Sequence, residues 1–104
     1  METYGNSFDA LGDPTRRAIV DGLRDGPRAV GELADGLPIS RPAVSKHLRV
    51  LKDAGLDTDE RAGTRRLYRI DPAGLAGVRA YVEELWDTAL AGFKQAAEHD
   101  GEET

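Results

Sequence analysis

The stretch ISRPAVSKHLRVLKDAG, residues 39–55, leaves little freedom in its local structure. Ser40 is a strong helix N-cap, and Ile39 stands five residues before Val44, the hydrophobic-staple spacing that sets the angle at which a chain enters a helix. Val44, Leu48 and Leu51 then fall on one apolar stripe, and Gly55 supplies the left-handed residue that ends a helix. At ~100° per residue, Pro42, Lys46 and Arg49 point away from that stripe, with Arg41 and Ser45 on its flank. Residues 40–52 carry Arg41, Lys46, Arg49 and Lys52 and no acid. From residue 40 to residue 52 every charged side chain is therefore basic.

That segment is at odds with the whole chain, whose 14 Lys and Arg against 19 Asp and Glu give a formal charge of −5. The charges are segregated: residues 1–13 sum to −3, residues 14–69 to +4 and residues 70–104 to −6. A local potential steers partners more than a net charge does, so the basic middle is expected to meet an anion. A chain of 104 residues, 39% of them hydrophobic, is one domain with one modest core. The absence of cysteine excludes disulfides, thiolate metal sites and thiol catalysis. No apolar run reaches the ~18 residues of a membrane span, and METYGNSFDA lacks a signal pattern, so a cytoplasmic protein without membrane partners is expected.

The remaining elements follow from similar local signals. Phe8 and Leu11 suggest a short first helix. Asp13 caps a second, with Pro14 at its first position, where a missing N–H costs nothing, and Gly26-Pro27 beyond its apolar face. Val30, Leu33, Ala34 and Leu37 mark a third short helix, stopped by Gly36 and Pro38. After Gly55 the period changes, and two strand-like runs flank a turn at Gly63. Asp71-Pro72 then starts a long helix from about 72 to 98, with Leu75, Val78, Val82, Leu85, Ala89, Phe93 and Ala96 at alternating spacings of three and four. Residues 99–104, HDGEET, are expected to be a flexible acidic tail. The fold class is mainly α (α+β): residues 1–98 form one winged helix-turn-helix domain, with a two-stranded hairpin wing and a long C-terminal helix for dimerisation.

The residue types suit double-stranded DNA. Ser40, Arg41 and Pro42 stand at a helix N-terminus, where free N–H groups and a partial positive charge favour a phosphate. Ser45, Lys46 and Arg49 can reach base edges, because a major groove admits one α-helix. Arg61, Thr64, Arg65 and Arg66 around a glycine turn suit a minor groove or its flanking phosphates. The alternative is a winged-helix module that binds protein, but its outward helix positions would be aromatic or aliphatic. An enzyme is not expected: the chain has no phosphate loop, no nucleophile motif and two distant histidines.

The runs DPTRRAI, SRPAVSKHLRVLKDAGL and GTRRLYRI, within residues 7–98, closely resemble the ArsR family of bacterial winged-helix regulators. The resemblance implies a homodimeric, operator-binding transcriptional regulator, usually a repressor, associated with the nucleoid when bound. It also implies that residues 40–54 are the recognition helix and residues 56–70 the wing. The chain departs from the family in three places. Family metal sensors often carry Cys-Val-Cys in the helix matching residues 30–37, where this chain has ELADGL. A second family site uses Asp and His pairs on the last helix, which here holds Glu83, Glu84 and Asp87, with His99 near its end. No metal or other cofactor is expected, because transition metals prefer several His or Cys ligands; the sequence names no effector. His47 is expected to pack structurally beside Leu48. Asp57 replaces an apolar residue of the family pattern, and is expected either to sit at a partly exposed strand start or to pair with an arginine, or else to loosen the wing.

The last helix carries more apolar surface than so small a core can cover. At 1.5 Å per residue a helix over 72–98 is ~40 Å long. Its stripe of Leu75, Val78, Val82, Leu85, Ala89 and Phe93, widened by Trp86 and Leu90 and joined by Phe8 and Leu11 of the first helix, is the expected homodimer interface.

Overall fold

The computed structural model describes residues 2–103, with side chains from residue 6 to residue 99. In chain order the elements are α1 (Glu2–Leu11), α2 (Pro14–Gly22), α3 (Val30–Asp35), α4 (Arg41–Asp53), β1 (Asp57–Ala62), β2 (Arg65–Ile70) and α5 (Pro72–Glu103). Asp13 caps α2, its Oδ1 accepting from the Thr15 amide at 2.7 Å and the Arg16 amide at 3.3 Å. Helix α3 has no oxygen-bearing cap. Instead the Glu32 carboxylate reaches back to accept from the Ala29 amide at 2.9 Å, which is half of a capping box.

Helix α4 begins and ends where local chemistry places it. Ser40 Oγ accepts from the Ala43 amide at 3.3 Å, and Val44, Leu48 and Leu51 are fully buried. At the far end Gly55 has φ +78°; its amide donates to the Lys52 carbonyl and the Leu56 amide to the Leu51 carbonyl, both at 2.9 Å. These two bonds are a Schellman motif, which satisfies carbonyls the helix leaves open. The wing follows directly. Strands β1 and β2 pair antiparallel from Asp57 opposite Ile70 to Ala62 opposite Arg65, around a two-residue loop in which Gly63 has φ +66°.

The core lies between the first four helices and the start of the wing, with Ala10, Ile19, Leu23, Leu33, Val44, Leu48, Leu51, Ala54 and Leu56 buried. Buried Ser7 ties α1 to the end of α4 by donating to the Ala54 carbonyl at 3.1 Å. One contact has no local sequence signal: Arg28 and Tyr68 exchange backbone hydrogen bonds of 2.9 and 2.8 Å, docking the approach to α3 on β2. The wing is thereby held to the body of the domain at its base.

Helix α5 differs from expectation at its far end. Its backbone stays helical to Glu103, so the ending near residue 98 and the tail from 99 are corrected for residues 99–103; Thr104 lies outside the described residues. No proline interrupts this run, and Gly101 alone costs about 1 kcal/mol, too little to stop a helix built on alanines and glutamates. At 32 residues α5 is about 48 Å long, and only its first turns meet the core, where Ile70 and Val78 are partly buried.

Gly74 explains how α5 joins the body. A Cβ there would fall 1.6 Å from the Gly55 carbonyl oxygen, so the first turn of α5 lies against the cap of α4 with no room for a methyl group. Ordinarily Gly→Ala in a helix gains up to about 1 kcal/mol. Here overpacking outweighs that gain, and Gly74→Ala is expected to destabilise the protein by about 1–3 kcal/mol in denaturant unfolding. A neutral or stabilised variant would contradict this approach of the two backbones.

Candidate nucleic-acid interface

The outward face of α4 and the inner face of the wing enclose an open groove of about 790 Å³, lined by Pro42, Ser45, Lys46, Arg49, Lys52, Asp53, Asp59, Arg66 and Tyr68. Ser45, Lys46 and Arg49 are exposed along it. Among the described residues no carboxylate lies in ion-pair range of Lys46 or Arg49, so their charges face the groove uncompensated. Pro42 is exposed in the first turn of α4. Ser40 uses its hydroxyl oxygen as the cap. The Arg41 guanidinium folds back over α3, where its Cζ and one terminal nitrogen lie 3.1 Å from the position a Gly31 Cβ would take.

The wing cations are dispersed. Arg61 Nε donates to the Gly63 carbonyl across the turn at 3.3 Å, and Thr64 is exposed at the tip. Arg65 reaches 2.5 Å from Glu32 of α3, and Arg69 pairs with Glu60 on the neighbouring strand. Arg66, on the opposite face of β2, pairs with Asp59 at 2.6 Å, and Asp59 also takes Lys52 Nζ at 2.7 Å. Of the wing residues expected at DNA, only Arg66 lines the groove beside α4.

Charge follows these contacts. The Lys52 hydrogen bond, then Arg66, holds the Asp59 carboxyl below the usual carboxylate range, and Asp59 in turn raises Lys52. The Ala29 amide and then the Arg65 and Arg28 charges hold Glu32 low as well.

Four residues of the groove, Lys52, Asp53, Asp59 and Tyr68, were not among those expected from the sequence. Lys52 stands three residues after Arg49 and seven after Ser45, a spacing that places it on their face. Asp59 carries no comparable signal, because its place follows from the hairpin register. The arginines of DPTRR, by contrast, serve the fold. Arg16 Nε donates to the Ala10 carbonyl at 2.7 Å and Arg17 to the Leu11 carbonyl at 2.8 Å, so both satisfy open carbonyls at the end of α1. Half-buried His47 lies with Nδ1 3.5 Å from Arg16, at the same corner.

Comparison with known proteins agrees with this architecture. A helix-turn-helix domain model matches residues 11–56. The chain is 52% identical over 107 residues to the HTH-type transcriptional regulator Rv2034 of Mycobacterium tuberculosis, with all of both chains covered. It is 44% identical over 78 residues to the HTH-type transcriptional repressor SmtB of the same species, covering 75% of this chain and 58% of that one. Among solved structures, the homodimeric winged helix-turn-helix DNA-binding domain of Mb0332 from Mycobacterium bovis, described as a possible ArsR-family transcriptional regulator, superposes with a TM-score of 0.69. The two are 32% identical, with 86% of this chain and 82% of that one covered. The chain belongs to the ArsR family of transcriptional regulators.

Within this ArsR-family protein, no three His, Asp or Glu side chains come together as a metal site among the described residues. No described helix is long and apolar enough to cross a membrane. Asp57 corrects two of its three expectations: it is neither an exposed strand start nor the partner of an arginine. It is 3% exposed, and neither carboxylate oxygen has a hydrogen-bond partner. Burial, then the negative charges of Asp59 and Asp71, pushes its pKa up to about 7 against the opposing pull of Lys52.

The apolar face of α5 is open. Leu75 is 36% exposed, Leu85 53%, Trp86 64% and Phe93 74%, and Val82, Ala89 and Leu90 are exposed between them. Phe8 meets Tyr81 edge-on with ring centroids 5.3 Å apart, joining α1 to this face. Leu11 and Val78, expected in the same surface, are partly covered by their own core.

Proposed function

We propose that this protein is a homodimeric repressor that binds an imperfect palindromic operator from the cytoplasm and associates with the nucleoid when bound. The observation that carries the reading is the outward face of α4, where Ser45, Lys46 and Arg49 border a groove and, among the described residues, no acid pairs either cation. In this mode α4 enters the major groove and its three side chains meet base edges. Ser40, Arg41 and Pro42 approach a phosphate at the helix N-terminus, and Arg61, Thr64, Arg65 and Arg66 meet the flanking backbone. Arg65 and Arg66 would exchange or share their present carboxylates with phosphates. Pairing through α5 sets two α4 helices about one DNA turn, ~34 Å, apart or a multiple of it. Repression follows from occupying the site that transcription needs, and SmtB, a relative at 44% identity, is named a repressor.

The test is a salt titration on DNA selected from genomic fragments. With ~8 phosphates contacted per dimer, log K is expected to fall with log salt at a slope near −7. Lys46→Ala and Arg49→Ala are expected to relax base preference at a cost of ~1–3 kcal/mol each, while Arg61→Ala weakens all sequences evenly. A slope shallower than about −2, or α4 variants that keep both affinity and preference, would refute this docking mode.

A further inference from the structure

The Asp59 carboxylate is an acid inside the groove that DNA is proposed to fill. Its side chain is 3% exposed, so it cannot itself touch a ligand there. Lys52 of α4 and Arg66 of β2 converge on its two oxygens at 2.7 and 2.6 Å, yet their own side chains are 54% and 52% exposed. An ammonium has three donors and a guanidinium five, so each cation keeps donors open to the groove while one is spent on Asp59. Such a bridge ties the end of α4 to the wing, while Arg65, the neighbour of Arg66 on β2, is held by Glu32 of α3.

We propose that Asp59 is a positioning residue for operator recognition: it holds Lys52 of α4 and Arg66 of β2 together, so that both meet the same stretch of DNA backbone and the wing keeps a set angle to α4. The proposal rests on the reading of α4 and the wing as a DNA interface. Charge alone argues the opposite way, because removing an acid from a cationic groove strengthens attraction to phosphate. The two effects therefore separate. Base readout depends on the register between α4 and the wing, whereas non-specific attraction depends on the sum of charge.

The experiment measures Kd for an operator fragment recovered by selection from genomic DNA and for a random duplex of equal length, with wild type, Asp59→Asn and Lys52→Gln. Asp59→Asn is expected to lower the ratio of operator to random affinity at least about tenfold, with random-duplex binding unchanged or tighter. Lys52→Gln, which leaves Asp59 paired with Arg66, is expected to lower the ratio several-fold and to weaken random binding slightly. An unchanged ratio in Asp59→Asn would overturn the proposal, as would an equal loss on both duplexes, which marks a merely structural role. Should Asp59→Asn fail to fold, an unchanged ratio in Lys52→Gln overturns it in the same way. A wild type that prefers no fragment would instead overturn the DNA reading on which the proposal rests.

Discussion

Replacing Asp57 by valine is expected to stabilise the protein at pH 8 by as much as about 4 kcal/mol, a large share of the ~5–15 kcal/mol that holds a domain of this size. The buried carboxyl has a pKa of about 7 in the folded chain against an ordinary 3.8. Between those values the folded protein holds a proton that the unfolded chain releases. The stability linked to this group is therefore fully present below about pH 4 and is lost as the pH rises through 7. Above that, folding must bury a charge with no hydrogen-bond partner. Valine removes the charge and suits a strand position. Urea unfolding at pH 5 and pH 8, at fixed protein concentration, should show wild type less stable at the higher pH and Asp57→Val much less affected. A variant less stable than wild type at pH 8 would mean that the carboxylate has a partner in solution. Asp59 and Glu32, held low by their partners, act in the opposite sense and withdraw stability as the pH falls through the carboxylate range.

Leu85→Glu combined with Phe93→Glu is expected to convert the protein to a monomer at micromolar concentration and to weaken operator binding by about 10²–10⁴-fold, the loss that follows when two linked contacts become independent. Both side chains are more than half exposed on a helix whose packing against the core, among the described residues, lies near its start at Val78. Two charges inserted into a pairing face would be buried without partners. Because neither residue is in the core, the monomer should keep its helical signal. Sedimentation velocity and a shift assay at one salt concentration decide the matter. A dimer that survives both charges would place the interface elsewhere.

Much of the architecture is written in short-range chemistry. The beginning and end of α4 depend on Ser40, whose Oγ accepts from the Ala43 amide, and on Gly55, whose amide donates to the Lys52 carbonyl, each within a few residues of the group it satisfies. Asp13 and Pro14 start α2 by the same logic, and Gly63 turns the hairpin because its φ is +66°. The outward placement of Lys46 and Arg49 follows from helical period once the Val44, Leu48 and Leu51 stripe is buried. Such rules act over four or five residues, so one sequence suffices to read them.

Tertiary structure decided the features whose partners lie far along the chain. Arg16 and Arg17 gain their role in the fold only where the carbonyls of α1 arrive beside them. Arg65 and Arg66 are neighbours in sequence, but strand alternation sends one to Glu32 and the other to Asp59. The burial of Asp57 and the need for glycine at 74 both arise at the seam between the end of α4, the wing and the first turn of α5. The reason is common to all four cases. A side chain's charge and size are local properties, but the desolvation, pairing and clearance that give them their energy are set by elements that meet only when the chain has folded.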